Sequence, residues 1–184
     1  MSKVPFLTKQ ITAPYTIPSG IVTTATSIIQ RIFDTMPEVG VITTKSVGLT
    51  PRSGYREPVI SQYAPGCFVI FGGSVEEFVE VAKIVAPVSD GLELNLSCPH
   101  AKGYGMAMGQ DPELVRQITA AVKAVVDIPV IPKLTPNTPN IAEIARAAVA
   151  GGADALCAIN TVGPGYTSSH GHPVLSHGSG GMSG

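Results

Sequence analysis

The strongest constraint on the fold is a cycle that repeats from residue 69 to residue 161: a short apolar run, then a capped amphipathic stretch. VIFGGS (69–74) reads as a strand ending in glycines, and Ser74 with Glu77 three residues later forms a capping box. Val75, Phe78, Val79, Ala82 and Val85 then recur at helical spacing. GLELNLSCP (91–99) alternates Leu92, Leu94 and Leu96 with Glu93, Asn95 and Ser97, the period of two expected of a strand. Beyond a glycine-rich loop, Asp111 serves as N-cap and Pro112 as first helical residue, ahead of a stripe of Leu114, Ile118, Val122 and Val125. IPVIPKLTP (128–136) is the next strand. Asn140 with Glu143 caps a helix whose apolar face is Ile141, Ile144, Ala145 and Ala148, and ADALCAINT (153–161), entered through Gly151 and Gly152, is a further strand. Upstream, VGVITTKSV (39–47) reads as a strand behind a helix around residues 26–36. Strands separated by single amphipathic helices predict parallel β/α units.

Polar residues collect at the C-terminal ends of these strands: Lys45 and Ser46, then Asn95, Ser97 and Cys98, then Lys133, then Asn160 and Thr161. In parallel β/α architectures the helices cover the outside and the strand ends converge on one face, where ligands bind. The ladder therefore predicts a site.

Composition narrows the class. With 184 residues, 44% of them hydrophobic, and a formal charge of -1, the chain reads as globular with room for one sizeable core. Charged residues are only 14% of the total, which points to extensive burial between layers or between subunits. No basic stripe offers itself to a nucleic acid. Arg52 and Arg56 suit a small anion or a surface salt link equally well. The three cysteines, Cys67, Cys98 and Cys157, have no short CxxC spacing, so a disulfide framework is not expected and a reducing compartment is the default. No apolar run approaches 18 residues, so neither a membrane span nor secretion is expected. Motifs for dinucleotides, for a phosphate loop and for a nucleophile elbow are absent.

Each candidate has a plain structural reading beside the chemical one. Cys98 precedes Pro99 where a strand enters a glycine-rich loop; it is either a small buried hydrophobe or a general base, its ordinary pKa of about 8.5 suiting either direction of proton transfer. Cys157, inside an apolar strand, reads as core. Lys133 interrupts an apolar strand between two prolines, so it is either exposed at the strand end or set against an anion or an electron-rich ring, and Lys45 stands similarly. Asn95 and Asn160 offer both donor and acceptor, matching the imide edges of flavins and pyrimidines, or else satisfy loose backbone groups. His170, His172 and His177 lie in a Ser/Gly-rich stretch without a carboxylate or cysteine, and no metal site is expected there.

GLELNLSCPH (91–100), GQDPELV (109–115), PVIPKLTPN (129–137), GGADALCAINT (151–161) and GGMSG (180–184), with TTKSVGLTPRSGYREP (43–58) and PSG (18–20), resemble the dihydroorotate dehydrogenases of the soluble, cysteine-base class. They are also similar to the pyrimidine-reducing domain of dihydropyrimidine dehydrogenase. The resemblance implies a single α/β domain over residues 1–184, a (β/α)8 TIM barrel with FMN at its C-terminal mouth, of which up to six β/α units are recognisable. It implies cytoplasmic oxidation of dihydroorotate to orotate in pyrimidine biosynthesis. Cys98 would exchange a proton with C5 of the substrate while hydride passes to flavin N5. Lys133 would lie near the N1/O2 side of the flavin, with Ser19, Gly20, Lys45, Ser46, Asn95, Gly180 and Gly181 also at the cofactor. Lys45, Asn95, His100, Asn160 and Thr161 would meet the substrate. The implied partners are a second copy of the chain and an electron-transfer subunit carrying FAD and an iron–sulfur cluster.

Three departures qualify the resemblance. His100 stands where dihydroorotate dehydrogenases usually have Asn, as in the uracil-reducing relatives, which leaves orotate and uracil-like rings both open. GCFVIFGG (66–73) joins directly two flanks that the family separates by a pocket loop, a helix and the start of a strand, so an internal segment near residues 69–70 is expected to be missing. The last two β/α units are expected after GGMSG. An incomplete record of a longer chain and a truncated, non-catalytic remnant of the barrel both remain open.

Overall fold

The structure, a computed structural model, describes residues 3–49, 67–70, 72–96, 108–165, 168–169, 172–173 and 180–182. It opens with an antiparallel hairpin, β1 (Val4–Phe6) and β2 (Lys9–Ile11). β3 (Tyr15–Ile17) runs parallel to β4 (Val39–Ile42), with α1 (Thr26–Thr35) between them. A four-stranded parallel sheet follows in sequential order: β5 (Cys67–Ile70), β6 (Gly91–Asn95), β7 (Val130–Leu134) and β8 (Cys157–Ala158). Its crossovers are α2 (Val75–Val85), α3 (Pro112–Lys123) and α4 (Ile141–Ala150).

The alternating pattern thus builds parallel β/α units, six parallel strands in two blocks. Among the described residues β4 and β5 are not paired and no closed barrel forms. The junction at residues 69–70, where the sequence joins two flanks without the expected segment, lies within β5 itself.

The helix starts follow their caps. Ser74 Oγ accepts from Glu77 N at 3.2 Å, and Asp111 accepts from Glu113 N and Leu114 N at 2.9 and 3.2 Å. Asn140 Oδ1 accepts from Glu143 N at 3.2 Å. In the first case the reciprocal half of the box is displaced, because Glu77 Oε2 accepts from Gly73 N rather than from the cap residue. At the end of α4, Gly152 takes the left-handed φ of +90° and Gly151 permits a close approach. A Cβ on Gly151 would lie 2.6 Å from the Arg116 carbonyl oxygen and 2.8 Å from Thr119 Cβ, so α4 could not sit this near α3 with any other residue there.

The main core lies between sheet and helices: Phe78, Val81, Ala82 and Val85 of α2 and Val115, Ile118 and Val122 of α3 meet Leu92, Leu94, Leu96, Val130 and Leu134. The expected stripes are rotated slightly. Val81 is buried in place of Val79, and Val115 and Thr119 in place of Leu114 and Val125, while Ile141 is exposed. Helical periodicity fixes spacing, whereas the helix axis relative to the sheet selects which ridge goes inward. Thr119 tolerates full burial because its hydroxyl donates to Val115 O at 2.7 Å.

Two expectations from the sequence are corrected. The strand expected over 153–161 shrinks to Cys157–Ala158: among the described residues β8 pairs with β7 alone, and the chain beyond it turns to donate Asn160 N to Leu134 O. The histidine- and glycine-rich end, read as loop, contains short antiparallel ribbons: β9 (Val162–Gly165) pairs with β12 (Gly180–Met182), and β10 (Ser168–Ser169) with β11 (His172–Pro173).

Candidate functional site

Because successive strand residues face opposite sides, the face of β6 away from Leu92 and Leu94 carries Glu93 and Asn95. The parallel register sets Glu93 opposite Ile131, Asn95 opposite Lys133, and Lys133 opposite Cys157. This inner face is graded along the strands. At their N-terminal ends Val41 and Ile131 form an apolar floor with Phe6 and Ile11 of the hairpin and with Ala155 and Cys157. No alternation pattern announced the hairpin, yet it covers that end.

Above the floor lies an ion pair. Lys133 Nζ donates to Glu93 Oε1 at 3.1 Å, with only 12% and 9% of the two side chains exposed. Of the two readings left open for Lys133, simple exposure at the strand end is set aside: the lysine is half of a buried pair, set against an anion that the chain itself supplies. Glu93 was legible only as a polar position of an alternating strand, and a lysine two residues beyond the facing position of the next strand is the signal that could have found it. Cys157, behind them, has its thiol pushed up to about 12 by burial and by the Glu93 carboxylate. The thiol is inert at neutral pH, as its reading as core requires.

At the C-terminal strand ends the amides interlock. Asn160 Nδ2 donates to Asn95 Oδ1 at 3.0 Å and Asn95 Nδ2 donates to Ser46 Oγ at 3.1 Å. Asn160 Oδ1 accepts from Thr161 N at 2.8 Å. One chain of hydrogen bonds thus joins three predicted strand ends. Asn137, quoted within PVIPKLTPN without a role, is a second support: its side chain donates to Thr161 O at 3.2 Å and accepts from Gly163 N at 3.1 Å. Gln110 in turn donates to Asn137 O.

The first β/α turn is tied to the same end. Lys45 N donates to Thr23 O at 3.2 Å, and Gly20 N donates to Thr23 Oγ1 at 3.0 Å. Among the described residues a Cβ on Gly20 would meet nothing closer than Pro18 O at 3.9 Å, so their packing does not demand a glycine. Ser19 is half-buried beside it, and Lys45 is exposed. Ser19, Gly20, Lys45, Ser46, Asn95, Lys133, Asn160 and Thr161 therefore all belong to the C-terminal strand ends, the inner face or the turns joined to them. Gly180 and Gly181 instead lie in β12, Gly180 opposite Gly165 of β9. Cys98 and His100 fall outside the described residues, as do Ser97, Arg52 and Arg56. Among the described residues no helix is long and apolar enough to cross a membrane.

The arrangement can bind a planar, imide-bearing ring: amide donors and acceptors in one line, a buried cation below them, and a glycine turn beside them. Comparison with known proteins gives the family. The model of the family described as dihydroorotate dehydrogenase matches residues 62–184. The "Dihydroorotate dehydrogenase B (NAD(+)), catalytic subunit" of Pyrococcus horikoshii is 40% identical over 200 residues, covering 93% of this chain and 65% of its own length. The protein of the same name from Methanosarcina acetivorans is 38% identical over 177 residues, covering 79% of this chain and 57% of its own. That from Thermococcus kodakarensis is 41% identical over 174 residues, with coverage of 79% and 58%. The chain thus spans less than two thirds of the length of these relatives. With its strand-end amides and buried lysine lying within the matched span, the chain belongs to the dihydroorotate dehydrogenase family.

Proposed function

We propose that this chain is the FMN-binding catalytic barrel of an oxidoreductase that converts dihydroorotate to orotate in cytoplasmic pyrimidine biosynthesis. The single observation that carries this reading is the hydrogen-bonded line Asn160–Asn95–Ser46 directly above the Lys133–Glu93 pair. Bound FMN would supply the two-electron chemistry. The residues fit it: Lys133 offers a desolvated cation to the electron-rich edge of an isoalloxazine, and the turn at Ser19 and Gly20 leaves room for a ligand beside the backbone. Asn95, Asn160, Thr161 and Lys45 would hold the imide edge and carboxylate of the pyrimidine, and His100 is the further residue proposed to contact the substrate. Gly180 and Gly181, without side chains, suit close approach to the cofactor.

Cys98 is the proposed proton acceptor at C5 of the substrate. The inert Cys157 leaves that role uncontested by the other cysteine whose side chain is described. The relatives' names support a partner: they are catalytic subunits of NAD-linked enzymes. An electron-transfer subunit with FAD and an iron–sulfur cluster, together with a second copy of this chain, completes the proposed assembly. No nucleic acid is part of it.

The fold reading carries the same proposal further: the two parallel blocks are parts of one (β/α)8 barrel that lacks an internal segment near residues 69–70 and the last two β/α units. The alignment with the Pyrococcus horikoshii protein supports this, since it runs over 200 positions while drawing on 93% of the 184 residues, fewer than 200. The test is anaerobic titration of the FMN-loaded chain. Dihydroorotate is expected to bleach the flavin absorbance and dihydrouracil to leave it unchanged. Bleaching by dihydrouracil alone would transfer the chain to the uracil-reducing class that His100 resembles, and bleaching by neither would support a non-catalytic remnant. Failure to take up FMN would remove the flavoenzyme reading.

A further inference from the structure

The ion pair on the inner face has a property that the binding reading of Lys133 does not explain. A cation needed only by a ligand could wait in solvent, as exposed Lys45 does. Lys133 is instead held inside the fold, 12% exposed, which requires something to compensate the desolvation of its charge. Glu93 is that compensation, and it comes from the neighbouring strand in a diagonal register, so the pair bridges β6 and β7. Below Lys133 is the apolar floor of Val41, Ile131 and Phe6, which supplies no acceptor. Above it, Asn95 and Asn160 are joined to Ser46, to each other and to Thr161.

We propose that Glu93 is a positioning residue: its carboxylate fixes the Lys133 ammonium on the inner face, at the level between the apolar floor and the amide line, where a bound ring would meet it. The proposal rests on the flavin reading for the identity of that ring, but not for the pair itself. Glu93 touches neither substrate nor cofactor in this account. It acts through Lys133.

The test has two arms. In the first, without flavin, lysine acylation is followed by peptide mass, with Lys45 as the exposed internal standard. Lys133 is expected to react far more slowly than Lys45 in the wild-type chain, and about tenfold faster in Glu93→Gln, whose neutral amide no longer holds the ammonium in an ion pair. Glu93→Asp is expected to restore the protection, which a variant that merely loosened the fold would not do. Equal labelling of Lys133 in wild type and Glu93→Gln would overturn the proposal.

In the second arm, the midpoint potential of bound FMN is measured for Lys133→Met in the wild-type and Glu93→Gln backgrounds. Removing the cation is expected to lower the potential in wild type and to lower it much less when Glu93 is absent. Equal lowering in both backgrounds would overturn a role toward the cofactor. If the wild-type chain takes up no FMN, the flavin reading fails by itself, and the labelling arm still decides whether Glu93 positions Lys133.

Discussion

The two ends of the parallel strands use polar residues in opposite ways. At the N-terminal end each polar group closes on the protein's own structure: Asp154 accepts from Lys123 Nζ and from Val130 N, both at 2.7 Å, joining the end of α3 to the start of β7. Lys9 of the hairpin meets Asp90 just before β6. At the C-terminal end the amides of Asn95 and Asn160 bond to one another, to Ser46 and to Thr161 N, linking strand ends and the turns beyond them through side chains. The first end holds the strands in place, and the second is the end proposed for recognition, the C-terminal face at which parallel β/α architectures bind their ligands.

The sharpest way to break this comparison is to damage each end and read both stability and turnover. Ile131→Ala, in the apolar floor, should show the largest effect: a loss of about 3 kcal/mol of stability in urea denaturation, with KM for dihydroorotate unchanged. Asn95→Ala should lower kcat/KM about thirtyfold, or about 2 kcal/mol of transition-state binding, while costing only about 1 kcal/mol of stability. If Asn95→Ala instead unfolded the chain with activity per folded molecule intact, the distinction between the two ends would fail.

Smaller effects refine the picture. Burial alone would raise the pKa of Asp154, but the Lys123 and Val130 hydrogen bonds and the Lys123 charge outweigh it and hold the carboxyl below its ordinary value. A depressed carboxylate contributes stability above its unfolded pKa and loses it as pH falls through the lower folded value. Asp154→Asn should therefore cost about 1 kcal/mol at pH 7, a difference that begins to shrink below about pH 4 and disappears on further acidification, measurable by thermal melts across pH. Lys9→Ala removes a half-exposed pair and should cost at most about 0.5 kcal/mol.

The sequence made the binding end more legible than the structural end, for a physical reason. Polar residues interrupting an apolar strand, such as Asn95 and Lys133, stand out in a pattern of period two, and caps such as Asp111 are local contacts within three residues. What was not legible depends on contacts between distant segments. The hairpin over the floor has no periodicity long enough to announce it, and the choice of Val115 over Leu114 depends on how α3 lies on the sheet. The Lys133–Glu93 pairing required knowing the register of two strands 40 residues apart in sequence. Cys98 was legible as the strongest chemical candidate, and its surroundings lie outside the described residues.

The hairpin floor also has a bearing on how the molecule comes together. Phe6 and Ile11 find their partners in Val41, Ile131, Ala155 and Cys157, so their apolar side chains have little to cover them until most of the later strands exist. Contacts spanning such sequence distances form late and slow assembly. During synthesis the hairpin would emerge early and wait, and exposed apolar residues that wait are sites for chaperones or for self-association. Docking of the hairpin is thus a natural final step of folding, one that seals the sheet only after the strands above it have found their register.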